Sequence, residues 1–148
     1  MSYETAKLIH LAGVVLFLGN IVVTALWKTL ADRKGDAGVI RFAHRLVIVT
    51  DWAFTGGGAA LLSLGAGGMV WIAGPDLFTE TWVMVGTVLF GISGLLWASV
   101  LIPIQAAQAR VLRDAADPAA VPNAYWAMAR RWTVFVIAAT VLVAVNLS

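Results

Sequence analysis

The sequence predicts an all-α, polytopic membrane protein: one domain over residues 1–148, folded as a four-transmembrane-helix bundle. Three observations carry this. Apolar residues make up 61% of the chain and charged residues 12%, whereas a soluble domain needs about 25% charged residues to wet its surface. Four stretches reach the roughly 20 apolar residues that a helix needs to cross about 30 Å of hydrocarbon. Nine of the ten Lys and Arg residues fall in just two of the connections between those stretches.

The first span covers about residues 5–27. Its apolar run, Leu8–Trp27, follows Glu4 and Lys7 instead of a basic leader, and no small-x-small site precedes the basic loop, so it reads as a span and not a cleaved signal peptide. A polar, glycine-containing connection at 31–38 leads to the second span at 46–73, whose helix is expected to begin outside the membrane near Gly38. Gly74-Pro75-Asp76 is a turn signal. The third span covers 81–104, with the helix expected to continue to Arg113. Residues 114–122 hold two prolines and two aspartates, a helix stop and restart. The fourth span covers about 126–147, its helix beginning near Asn123 just after Pro122.

The cations set the direction. Lys28, Arg33, Lys34, Arg41 and Arg45 lie between spans 1 and 2, and Arg110, Arg113, Arg130 and Arg131 between spans 3 and 4; Lys7 alone lies elsewhere. The positive-inside rule then makes both basic connections cytoplasmic and places the N-terminus, the C-terminus and the Asp76/Glu80 loop outside. Trp71 and Trp82 are expected at the outer interface, and Trp27, Trp126 and Trp132 at the inner one. The net charge of +2 is thus a topology signal; the expected partner is the lipid bilayer, with a homo-oligomer or a larger membrane complex open and no nucleic acid.

The chain has no cysteine, which excludes disulfides, thiolate metal sites and thiol catalysis. With three methionines beyond Met1 and no M-x-x-M cluster, a Cu(I) pathway has little support. There is no glycine-rich phosphate loop and no ordered Ser/His/Asp set.

Polar residues inside spans are costly, so each invites a functional question. At 100° per residue, His10, Gly13, Phe17, Asn20, Thr24 and Lys28 share one face of helix 1 that should point into the bundle. This stripe is either polar packing around a satisfied histidine, or a site in which His10 ligates haem or metal, or relays protons. His10 and Asn20 are the candidate cofactor contacts, and His10 the candidate metal ligand. On helix 2, His44, Ile48, Asp51, Thr55, Gly58, Leu62, Gly65 and Met69 share a face. Asp51 sits about 8 Å inside the inner boundary, where a carboxylate needs a partner or takes up a proton. Arg131 and Lys28 are the expected partners, as a structural ion pair or a proton or substrate site. The glycines of helix 2 suit either close helix packing or a flat cofactor. Gln105 and Gln108 are expected at or beyond the inner boundary, solvated. His10 and His44 lie at opposite ends, about 25 Å apart in depth, too far to share one iron; His44 is a secondary, separate candidate.

The order Tyr3-x-x-x-Lys7-x-x-His10, Lys28 with Asp32-Arg33, Asp51-Trp52-x-Phe54-Thr55, Pro103-x-Gln105 and Arg131-Trp132 resembles a family of predicted bacterial inner-membrane proteins of unknown function, over nearly the whole chain. More distantly, the chain resembles the HemJ-type protoporphyrinogen oxidases and the CopD-type membrane proteins. The HemJ-type opening matches Lys7 and His10, and the resemblance implies haem b ligation by His10 and a place in the bacterial inner membrane. The lysine that HemJ-type enzymes carry near the start of helix 3 has no counterpart in Thr81-Trp82-Val83-Met84. Three functions follow as expectations: a small haem-b-binding or redox-associated protein with His10 as ligand; a non-catalytic accessory or assembly subunit of a larger membrane complex; or a small-solute or metal permease subunit centred on Asp51.

Overall fold

The computed structural model describes residues 1–145, with side chains through residue 141; among these, every regular element is helical. Helix α1 is Tyr3–Lys34. Ser2 caps its start, the hydroxyl accepting from the Thr5 N–H at 3.2 Å. Gly35, at φ 71°, ends it in the left-handed conformation that only glycine adopts without penalty. The helix therefore runs through residues 31–34, which the sequence reading assigned to a loop. Arg33 and Lys34 lie in its last turn, where cations favour the helix dipole. At 1.5 Å per residue it is about 48 Å long, so its basic end projects beyond the hydrocarbon.

Asp36 caps the next helix, its carboxylate accepting from the Val39 N–H at 2.8 Å. This helix, α2, is Ala37–Ala73 and contains a π-helical stretch at Asp51–Gly56. Gly74 turns the chain at φ 97°, and Pro75–Thr79 forms a short 3-10 turn. Helix α3 is Thr81–Arg113, with a second π-helical stretch at Trp97–Leu101. Pro103 follows it closely and brings no N–H to the preceding turn, which eases that widening. Helix α4 is Asn123–Val145.

Helices α1, α2 and α3 are each long and apolar enough to cross a membrane. The fourth expected span, 126–147, coincides with α4, but its last residues, 146 and 147, lie outside the described residues. Large apolar side chains cover the exterior: Trp71 is 89% exposed, and Leu8, Leu64 and Leu95 also project outward. Such a surface suits hydrocarbon and not water.

The closest packing joins α1 to α2. A Cβ on Gly58 would stand 2.7 Å from the Phe17 backbone nitrogen, and Gly13 and Gly65 are as tightly set against Leu62 and His10. Small residues let two backbones approach this way where no hydrophobic effect drives helices together. Near the basic end, Ile40, Leu112, Tyr125 and Ala129 form one apolar cluster and Val47, Leu101, Trp132 and Val136 another. Towards the opposite end, α1, α2 and α3 diverge and leave a cleft.

Candidate functional site

The inward stripes hold as expected. Gly13, Phe17, Asn20, Thr24 and Lys28 on α1, and His44, Asp51, Thr55, Gly58 and Gly65 on α2, are all buried. They build two distinct places.

The first is the cleft, about 430 Å³, walled by Phe17, Phe78, Trp82 and Phe90 and lined also by His10, Met69 and Thr87. Its volume lies in the range of cofactor and ligand sites, about 300–1,000 Å³. The His10 Nδ1 is 2.9 Å from the Leu62 carbonyl oxygen. A carbonyl only accepts, so Nδ1 carries a hydrogen and Nε2 is the nitrogen not engaged by Leu62. A half-buried imidazole, its ring held by Leu62, therefore stands at an apolar cavity.

The second lies about 15 Å further along α1. Asp51 is 7% exposed. Asn20 Nδ2 donates to its Oδ1 at 2.9 Å, and Gln105 Nε2 to its Oδ2 at 2.6 Å. The Thr55 hydroxyl is 3.5 Å from Oδ1 and also accepts from Asn20 Nδ2 at 2.9 Å. Thr24 donates to the Asn20 carbonyl oxygen at 3.2 Å, so the Asn20 amide is held at both ends. Three helices thus clamp one carboxyl group with neutral donors. The two π-helical stretches begin at this level, and Trp52 and Trp97, one from each, meet edge to face at 5.6 Å. Such stretches concentrate at functional sites because they re-aim side chains off the regular ladder.

A family model described as "Predicted integral membrane protein (DUF2269)" matches residues 4–147. The chain belongs to this family. No curated protein and no solved structure matches it.

The DUF2269 chain departs from the sequence expectations at four places near these sites. First, Asp51 has no cation partner among the described residues. Lys28 stands eight residues beyond Asn20 and is bound instead to Asp32 at 2.6 Å, one turn away on its own helix. Arg131 is exposed; a guanidinium near the membrane boundary gains more from solvent than from burial. Second, Asn20 does not line the cleft, because its amide is committed to Asp51 and Thr55. Third, Gln105 and Gln108 are buried, not solvated. With Leu101 and Leu112 they recur at i, i+4, i+7 and i+11, one face of a helix, and that spacing was the available signal. Fourth, Trp132 is 2% exposed and is not an interfacial belt residue; its ring lies 5.0 Å from Lys28 Nζ.

Tyr125 escaped sequence reasoning altogether. Its hydroxyl donates to Asp32 Oδ1 at 2.6 Å and accepts from Lys28 Nζ at 3.1 Å, tying α4 to α1. It stands just before the apolar stretch of α4, where burial and the Asp32 carboxylate beside it push its phenol well above the ordinary range. His44 is buried at the same end, its Nε2–H donating to the Gln105 backbone carbonyl at 3.0 Å. His10 and His44 thus occupy separate sites, as their spacing requires. No group of three or more His, Cys, Asp or Glu able to hold a metal ion occurs among the described residues.

Proposed function

We propose that this protein is a small haem-b-binding, redox-associated protein of the bacterial inner membrane, spanning it four times with both termini outside, and that His10 is the iron ligand. The observation that carries the reading is the His10 Nδ1–H bond to Leu62, which leaves Nε2 free at the apolar cleft. A bond from the far ring nitrogen to a backbone carbonyl fixes tautomer and ring orientation and raises ligand basicity. A bare metal ion would need several protein ligands. Haem would bring four nitrogens of its own and would need from the protein little more than the His10 imidazole. The aromatic walls suit a flat apolar ring, and Gly67 at the lining leaves open space where a Cβ would stand. The likeness of Lys7-x-x-His10 to the HemJ-type opening supports the same choice. When bound, haem would supply one-electron chemistry. The chain's own part is to present the imidazole, exclude water and hold the ring between aromatic walls.

The test is an absorption spectrum of detergent-purified protein expressed with ample haem. We expect a Soret band that is lost in His10→Ala and weakened in Gly67→Leu, which fills the cleft. A colourless wild type that fails to take up added haem overturns the reading.

A further inference from the structure

The buried carboxyl at Asp51 belongs to no part of the cleft and has an explanation of its own. Six of the eight acidic residues are exposed, Asp32 is half-buried at the basic end, and Asp51 alone is buried. Nothing cationic answers it. On α1, Lys28 is held by Asp32 and Tyr125. On α2, Arg45 is exposed and His44 is seven residues away, about 10 Å along the axis. On α3 the neighbours are Gln105 and the Trp97 indole, both uncharged, and on α4 Arg131 is exposed. A carboxylate buried without a counter-charge survives only through its donors, or by taking a proton.

Two buried polar groups on its basic side lack partners among the described residues. His44 donates from Nε2, so Nδ1 is a lone pair, and that buried nitrogen has no partner among the described protein atoms. Gln108, 0% exposed and one turn beyond Gln105, has none at either end of its amide. Interiors meet such orphaned groups with water. The His44 ring faces Tyr125 edge-on at 6.4 Å, and Tyr125 is bonded to the partly exposed Asp32. Between the basic surface and the clamp stand Asp32, Tyr125, His44 and the unpartnered amide of Gln108.

We propose that Asp51 is a proton-binding site loaded from the basic end of the bundle, through His44 and water held against Gln108. A proton from hydronium adds to Asp51 Oδ1: one O–H bond forms as another breaks, a water remains, and no electron moves. The Thr55 hydroxyl, 3.5 Å away, turns from donor to acceptor, and Gln105 keeps its bond to Oδ2. The two wide turns give the helices freedom to relax around the change. This stands whether or not the cleft takes haem.

The experiment is infrared difference spectroscopy of the intact protein in lipid nanodiscs, stepped from acid to alkaline pH in H₂O and D₂O. We expect a buried-carboxyl C=O band that titrates, shifts down in D₂O, vanishes in Asp51→Asn and persists in Asp32→Asn. His44→Phe slows its H/D exchange by about tenfold or more. Should Asp51→Asn fail to fold, Gln105→Leu, which strips one donor from the carboxyl, moves the band instead. A titrating band that survives Asp51→Asn, a band unmoved by Gln105→Leu, an Asp51 locked in one state across the pH range, or exchange unchanged in His44→Phe each overturns the proposal.

Discussion

Lys28, 1% exposed, shows how a single residue can be misplaced by spacing alone. Its position on the helix 1 stripe made it a partner for Asp51, yet the nearest carboxylate is Asp32, one turn away on an extended helix end, and the Tyr125 and Trp132 rings close over it at 5.2 and 5.0 Å. The triad Lys28–Asp32–Tyr125 is then a lock between α1 and α4. Tyr125→Phe removes two hydrogen bonds to charged groups and should destabilise the fold by about 1.5–3 kcal/mol, read as a lowered melting temperature in detergent. The same variant tests the titration. The folded state holds the phenolic proton more tightly than the unfolded chain, where tyrosine titrates near 10. Its contribution is therefore complete below about pH 10 and declines as pH rises above that value. The wild type should lose stability on that alkaline limb, and Tyr125→Phe should lose less.

At the scale of elements, the contact between α1 and α2 depends on glycines that the neighbouring backbone leaves no room to replace. Gly58→Ala places a methyl group 2.7 Å from the Phe17 nitrogen and 3.0 Å from the Gly13 carbonyl oxygen. Both neighbours are helix backbone and cannot swing aside, so the pair must separate, at a cost of about 1–3 kcal/mol. Gly57, the adjacent residue, has nothing within 4 Å of such a methyl. Gly57→Ala should be neutral or stabilise by up to about 1 kcal/mol through helix propensity. Parallel thermal melts of the two variants measure the difference, and equal melting temperatures would refute the close-contact account. The π-helical stretches belong to this scale as well. Each shifts the register of its helix near the level where Asn20 on α1 and Gln105 on α3 both meet Asp51 on α2.

For the whole molecule, the sorting of charge predicts orientation. With both basic connections inside, Ser2 and Asp76 face out, and Asp36 and Asp117 face the cytoplasm. The absence of native cysteine makes this measurable with single substitutions. Ser2→Cys and Asp76→Cys should react with a membrane-impermeant maleimide in intact cells, whereas Asp36→Cys and Asp117→Cys should react only after lysis. The reverse pattern would invert the topology and place the His10 cleft at the cytoplasmic end and the entry to Asp51 at the outer one.

Sequence alone determined the solvent of this protein, the order of its long apolar helices, and the inward face of α1 and α2. These follow from composition and from a 3.6-residue period, which are local properties of the chain. The end of α1 at Gly35 was less legible, because residues 32–34 are charged yet lie in a helix longer than the hydrocarbon is thick. What tertiary structure decided is which polar group meets which. Gln105 looked solvated and instead holds Asp51 at 2.6 Å; Tyr125 looked incidental and instead closes on Asp32; Asn20 looked like a cofactor contact and instead anchors the clamp. Pairings across helices depend on depth, rotation and the slip of register at each wide turn, and a shift of one residue turns a helix face by about 100°. The pattern along a chain records which side of each helix is buried, whereas the partners on that side are set only when four helices settle against one another.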